Sequence, residues 1–494
     1  MRHFTLKWLG LWCSSVWAQR AAFLYALWDL NLERAEKEIM WEWNHAYITW
    51  AHHRLAFFKA LFPLHPTERK AFWEVSTLSE RLFERQIAPA LPELAADMYA
   101  QRAILHVLEE NWFSAGYAAW KSWRLLQKGL STDPLTHQWS GLWQVIFATL
   151  PPPYGDWLPG TPESRWHAAF QALRFASNPS SYTFWESSLL YFYALRHMDT
   201  LANAWLDSCT KIFFMNQEPP YLWRFSIALH RLEEGAFSQA ESLLLALTSQ
   251  PQIRRFPYPY YWLGKLYLYT GKWEEAHRMW QHFMDMQLQP FGITAQYAWR
   301  GYMSWCRGDS TQAFALWKKA TAFEGLLWEE DQIAQSLAKG WIASPPDSVE
   351  RLLWQARWLL HGQAYESAQQ ALEPLRQRLT SLTGDQRTAL YYVYGRLYHR
   401  WGREEAARFA YFQATKQAAY KNIWMQAYAA YYLAQLYEKL GDWHNARIYY
   451  QEADKLGTQA GRTGIVQKAR GGYARVKDKR YLIPEEKLLK GNSE

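Results

Sequence analysis

The sequence predicts an all-α protein, an α-solenoid of stacked antiparallel helix pairs with an irregular N-terminal helical half. Three observations predict it. First, the stretch from Pro257 to Pro290 holds two helical patterns that meet at Gly271: Tyr260, Leu263, Gly264 and Tyr267 before it, Ala276, Trp280 and Phe283 after it. Spacings of three, four and seven put each set on one helix face. Gly264 and Ala276 are small where two antiparallel helices must approach, and Gly271 ends the first helix in a conformation open to glycine. Second, the signal recurs as Gly235 then Ala240, Gly308 then Ala313, Gly362 then Ala368, Gly402 then Ala407, and Gly441 then Ala446. Unit starts fall near 221, 257, 294, 349, 388 and 427, at intervals of 36, 37, 55, 39 and 39. Third, one such pair cannot bury its own apolar face, so neighbours must stack on it.

The elements follow in order. Residues 20–43 carry a helix pair with a short turn near Leu30 to Leu32, marked by Leu27, Asn31, Ala35 and Ile39. An aromatic helix over 44–62 is broken by Pro63 and Pro66, because proline removes a backbone donor and clashes with the preceding turn. Residues 67–87, 93–109 and 112–128 give three more helices. Proline and glycine then cluster over 129–164, around Pro151-Pro152-Pro153, with one helix at Thr136 to Leu150 between them. A loop this rich in both marks a functional segment or a hinge. Helices resume at 163–176 and 183–215, and the regular units occupy 221–457. The wide interval holds an extra helix, Trp328 to Ile342, ended by Pro345-Pro346. A closing helix is expected at 464–476, and disorder over about 480–494. The segments are therefore 1–18, 19–128, 129–220, 221–457 and 458–494.

Residues 1–18 have the pattern of an export signal. Arg2 and Lys7 start it, Trp8 to Trp17 is a short apolar run, and Val16-Trp17-Ala18 is a cleavage site before Gln19. The expected address is the periplasm. No other stretch approaches about 20 uninterrupted apolar residues, so no membrane-spanning segment is expected in the mature chain. Cys13 follows Trp12, not the small residue that a lipid-anchor signal requires. Cys209 and Cys306 are scattered and suggest spectator thiols rather than a disulfide framework. The net charge of +8 resides in the leader and in the basic residues 455–494, which leaves the body about neutral. A nucleic-acid groove needs basic residues tracking one face, so that partner class is excluded. The 31 Trp, 31 Tyr and 24 Phe are expected mainly between helices.

Gly-Lys-Trp-Glu-Glu-Ala at 271–276 and Gly-Asp-Trp-His-Asn-Ala at 441–446 resemble the turns of tetratricopeptide (TPR) repeats, whose period is about 34 residues. Over nearly its full length the chain resembles the large exported TPR proteins of Gram-negative bacteria. LWDLNLERAEKEI at 27–39, LWQVIFATLPPPY at 142–154, ERLLWQARWLLHGQAYESAQQAL at 350–372 and IVQKARGGYARV at 465–476 carry the match. The resemblance implies a helical binding architecture and brings no activity, cofactor or catalytic motif with it.

The residues themselves offer little chemistry. His45 and His52 share a helix face near His53, but no Cys or carboxylate completes a metal shell at fixed spacing, so no metal is expected. Glu274-Glu275 and Glu404-Glu405 fall in the first turn of a second helix, where acids complement the positive helix end. No phosphate loop, nucleophile elbow or dinucleotide fingerprint is present, and Gly471-Gly472 has no strand before it. The expected function is non-enzymatic: a scaffold that binds a protein or peptide along the concave face made by the first helices. The expected groove residues are Lys265, Tyr269, Gln296, Arg300, Arg396, His399, Gln426 and Gln435. The alternative is a glycan-binding protein that uses exposed Trp and Tyr as stacking platforms.

Overall fold

The computed structural model describes residues 19–40, 44–62, 65–128, 132–149, 162–197, 205, 218–286, 291–324 and 328–477. The leader 1–18, Cys13, the proline run 151–153, Cys209 and the tail after Lys477 lie outside the described residues. The described residues are helical with no strand, and none of their helices is long and apolar enough to cross a membrane. Two compact units are present, the first built mainly from residues before Ile227 and from Ala246–Pro257, the second from Ala228–Leu245 and the chain after Tyr258.

In the first unit, α1 (19–28) is tied to α2 (Leu32–Ile39) where the Gln19 amide donates to Glu38 O at 3.0 Å, and α3 (His45–Leu61) packs on α4 (Pro66–Leu82). A π-helical turn at Phe83–Ile87 leads on to α5 (Pro92–Leu108), which packs on α6 (Trp112–Leu126). α7 (Pro134–Thr149) packs on α8 (Pro162–Ala176), and α9 (Phe184–His197) follows. α10 (Tyr221–Glu234) and α11 (Phe237–Thr248) are divided between the units. The second unit continues with the pairs α12 (Tyr258–Tyr269) and α13 (Trp273–Asp285), then α14 (Ile293–Cys306) and α15 (Ser310–Thr321). The inserted helix is α16 (Glu329–Ala343). The pairs α17 (Ser348–His361) and α18 (Tyr365–Gln377), α19 (Gly384–Arg400) and α20 (Glu404–Lys416), and α21 (Ile423–Lys439) and α22 (Trp443–Gln459) come next. α23 (Thr463–Lys477) closes against α22. A continuous core of Leu, Ala and Tyr runs from Leu353 through Leu436, and a second lies under α23.

One turn geometry closes nine of these helices among the described residues. At Gly271, the Gly271 N–H donates to Leu268 O at 3.2 Å and the Lys272 N–H to Tyr267 O at 2.8 Å, with φ at +75°. This double closure is a Schellman cap, which needs a left-handed residue. The same pair of bonds forms at Leu30, Glu110, Gly235, Gly308, Gln363, Gly402, Gly441 and Gly461. Eight of the nine turns place a buried alanine five residues on, from Ala35 and Ala115 to Ala446. Glycine spacing alone misplaces one turn. Gly362 has a negative φ, and its neighbour Gln363 takes the left-handed position at +60°.

Seven residues before the turn and nine after it, side-chain sizes are matched. A Cβ on Gly264 would lie 2.3 Å from the Trp280 indole nitrogen, and one on Gly395 2.3 Å from the Tyr411 ring. Gly301 meets Trp317 in the same way. At Ala228 and Ala356 the partner is Leu244 and Leu372, whereas Ala434 faces Tyr450, so an alanine takes either partner. Trp280 Nε1 donates to Tyr261 O at 3.0 Å, and Trp317 Nε1 to Ala298 O at 3.2 Å, so the buried indoles keep a partner.

The first unit also buries charge. Arg54, 1% exposed, donates to Asp97 Oδ2 at 2.7 Å and pairs with Glu186. Asp97 accepts as well from Trp139 at 2.8 Å, from Gln101 at 2.9 Å and from Trp50. His53 bridges Gln101 and Ser76 at 2.7 and 3.1 Å, and burial pushes its imidazole down to about 3. His53 is therefore a core residue, while His45 and His52 are exposed. In the second unit, α16 caps its neighbour: buried Asp331 accepts from Gly292 N–H at 2.6 Å and from Ala295 N–H at 2.8 Å, at the start of α14.

The size matching sets up a testable coupling. Gly264→Ala overpacks the Trp280 contact and should cost about 1–3 kcal/mol. Trp280→Leu opens a cavity and should cost about 2–4 kcal/mol. Together they recreate the Ala356 and Leu372 combination, so the double variant should lose less than the sum by about 1 kcal/mol. Urea unfolding of the three variants measures this, and strict additivity would rule the contact out.

Candidate functional site

The first helices of the second unit present one repeated face. Counting back from each left-handed turn, the sixth and second positions are Lys265 and Tyr269 on α12, Arg357 and His361 on α17, and Arg396 and Arg400 on α19. On α21 they are Gln435 and Lys439. Residues four apart share a helix face, so α12, α17, α19 and α21 each add two side chains to a common wall, whereas α14 has Tyr302 and Cys306 at these positions. Contacts join the helices. Tyr269 stacks on His361 with ring centroids 4.5 Å apart, and Tyr392 meets Trp424 edge-on at 6.2 Å. The Arg396 guanidinium lies 4.2 Å over the Tyr432 ring.

Three of the wall cations, Lys265, Arg357 and Arg396, rest on an aromatic face. Lys265 Nζ is 4.2 Å over Trp262, one turn back on α12, and the Arg357 guanidinium is 4.0 Å over Trp354, one turn back on α17. Such contacts stabilise a half-buried cation by about 0.5–2 kcal/mol. Lys265 also has an ion pair, with Glu330 Oε1 at 2.8 Å. Burial works against its charge, but Glu330 and the Tyr269 hydroxyl outweigh burial and hold the ammonium above its ordinary range. Among the described residues no carboxylate forms an ion pair with Arg357, Arg396 or Arg400. Burial pulls the Arg357 and Arg400 guanidinium groups below their usual range. The field of Glu233 also reaches Arg400 and works against that lowering. His361 is held neutral by burial first, and then by Arg396, Arg400, Arg357 and Lys265.

The structure sorts the expected groove residues. It brings Lys265, Tyr269 and Arg396 together on the wall, with Gln435 and His399 at its α21 end. Gln435 is half-buried and donates to the Tyr431 hydroxyl at 3.2 Å. His399 packs edge-on against Tyr411 and Tyr432. Gln296 is fully buried with neither amide atom hydrogen-bonded, so it is a core residue. Gln426 is core as well, because its amide donates to Gln417 O at 2.6 Å and to Ala414 O at 3.2 Å. Arg300 turns to the preceding second helix, with Nη2 3.4 Å from His277 Nε2 and 3.5 Å from Gln281 Oε1. Sequence reasoning missed Arg357, His361 and Arg400. A register counted from Gln363 instead of Gly362 would have placed Arg357 and His361 opposite Lys265 and Tyr269.

Exposed aromatics are concentrated elsewhere. In the first unit, α6 exposes Trp112, Phe113, Tyr117 and Trp120, with Phe113 90% exposed. Tyr117 and Trp120 stack with centroids 6.2 Å apart, beside Lys121 and Arg124. No family model and no curated protein matches the chain.

The wall has a pH signature. Burial first, and then Arg396, pushes His399 down to about 4. An unfolded histidine protonates near 6.5. As pH falls, the unfolded chain therefore takes up this proton before the folded one does, and stability is lost progressively from about 6.5 to about 4. His399→Gln should flatten part of that loss. Urea midpoints measured across this pH range decide it, and identical slopes for variant and parent would contradict the assignment.

Proposed function

We propose that the chain is a non-enzymatic scaffold of the TPR type, exported to the periplasm, which holds a segment of a partner protein or peptide against the wall of α12, α17, α19 and α21. The observation that carries this reading is the recurrence of largely buried cations beside aromatic rings at equivalent positions of three first helices, α12, α17 and α19. An extended ligand meets the same kind of contact at each helix it crosses. Tyr, Trp and Arg are also the residues that dominate binding energy at protein interfaces. A second reading rests on a separate observation: the exposed rings of α6 offer stacking platforms to a glycan. Export is supported by the charged start, the apolar run and Ala18.

Full-length protein screened against a peptide library and a panel of soluble glycans separates the two readings. Peptide binding should weaken about tenfold in Tyr432→Ala and stay unchanged in Trp120→Ala. Glycan binding that depends on Trp120, with no peptide bound, would favour the second reading. Protein sequencing of the native chain should find Gln19 at the N-terminus, and an intact Met1 in the cytosolic fraction would overturn export.

A further inference from the structure

Among the described residues, the three arginines of the wall differ from Arg54 and Arg475 in what they lack. Arg54 is buried between two carboxylates, and Arg475 is held by Glu438 through two hydrogen bonds of 2.5 and 2.6 Å. Arg357, Arg396 and Arg400 have no such counter-charge, although all three are half-buried and their fields reach one neutral histidine. A guanidinium that stacks by its face keeps its N–H edge for other partners, and that edge matches a carboxylate in a two-point geometry. The Arg357 guanidinium carbon lies 4.0 Å over the Trp354 ring and that of Arg396 4.2 Å over the Tyr432 ring, and the Tyr432 hydroxyl also acts on Arg396. Partly desolvated like charges repel more strongly than they would in water. An incoming anion relieves that repulsion.

We propose that the occupant of this wall is an acidic peptide segment, whose side-chain carboxylates engage the guanidinium groups of Arg357, Arg396 and Arg400 while its apolar parts pack on Tyr269, Trp424 and Tyr432. The proposal rests on the reading of this wall as a peptide-binding surface. Charge complementarity selects the occupant. A nucleic acid requires cations tracking an exposed face, whereas these lie between helices in a body of about zero net charge.

The test titrates the full-length protein with hexaglutamate, hexaglutamine, inorganic phosphate and a short oligo-dT, with tryptophan fluorescence as the readout. Hexaglutamate should bind, lose affinity as salt is raised, and weaken about tenfold in Arg357→Gln and in Arg396→Gln. Lys318→Gln removes the same charge from an exposed site on α15 and should leave binding unchanged. Circular dichroism checks that each variant is folded. If a variant is not, competition between hexaglutamate and hexaglutamine on the unmodified protein still decides the matter, with hexaglutamate expected to win. Binding also has a local signature: the His361 ring should take up a proton, seen as a shift of its imidazole resonances. Equal binding of hexaglutamine that is sensitive to Tyr432→Ala would overturn the acidic preference and leave the scaffold reading standing. Binding of phosphate or oligo-dT with no binding of either peptide would overturn both. Equal losses in Lys318→Gln and Arg396→Gln would reduce the effect to net charge and remove the site.

Discussion

Each helix pair must reverse direction within two residues and still bring two backbones close enough to pack. A left-handed residue followed five positions later by alanine meets that demand in eight of the nine turns. The left-handed conformation costs an ordinary residue about 1–2 kcal/mol, yet Leu30, Glu110 and Gln363 adopt it. Their presence shows that the closure, more than the glycine, is the fixed requirement. Once the turn is set, both helices have a common register. Size matching at Gly264 and Trp280, and the repeated positions of Lys265 and Arg357, are both counted from it.

The two units use charge differently. In the first, Arg54, Asp97 and Glu186 form a buried group with Trp50, Trp139 and Gln101 around it. Breaking such a group by removing one member typically costs 3–5 kcal/mol, so it behaves as a fixed part of the core. In the second, Arg357 and Arg396 of the wall are steadied by rings and form no ion pair with a carboxylate among the described residues. Rings stabilise a cation without neutralising it. The wall therefore keeps a positive field facing the space beside it, while the core of the first unit does not.

Much of the fold was legible because the pattern is local. Helix starts expected near 221, 257, 294, 349, 388 and 427 fall at Tyr221, Tyr258, Ile293, Ser348, Gly384 and Ile423. The inserted helix expected from Trp328 begins at Glu329, and the closing helix expected at 464–476 spans Thr463–Lys477. The turns at Leu30 and Glu110 were harder to read as members of the series, since a left-handed leucine or glutamate leaves no mark in the sequence. The site was half legible. Lys265 and Arg396 stand out as charges on an apolar face, but Gln296 and Gln426 look identical in sequence to groove residues. Their burial is decided by tertiary neighbours, such as the carbonyls of Ala414 and Gln417. Arg357 and His361 were hidden by the one-residue difference between Gly362 and Gln363.

The inserted α16 has made itself indispensable. Its Asp331 supplies the acceptors for two amides at the start of α14, and its Glu330 holds Lys265 of the wall. Excising this helix would strand buried donors in one neighbour and an unmatched ammonium in another. The irregular interval of 55 residues is therefore a structural joint of the array, since removing α16 would cost both neighbours a buried partner.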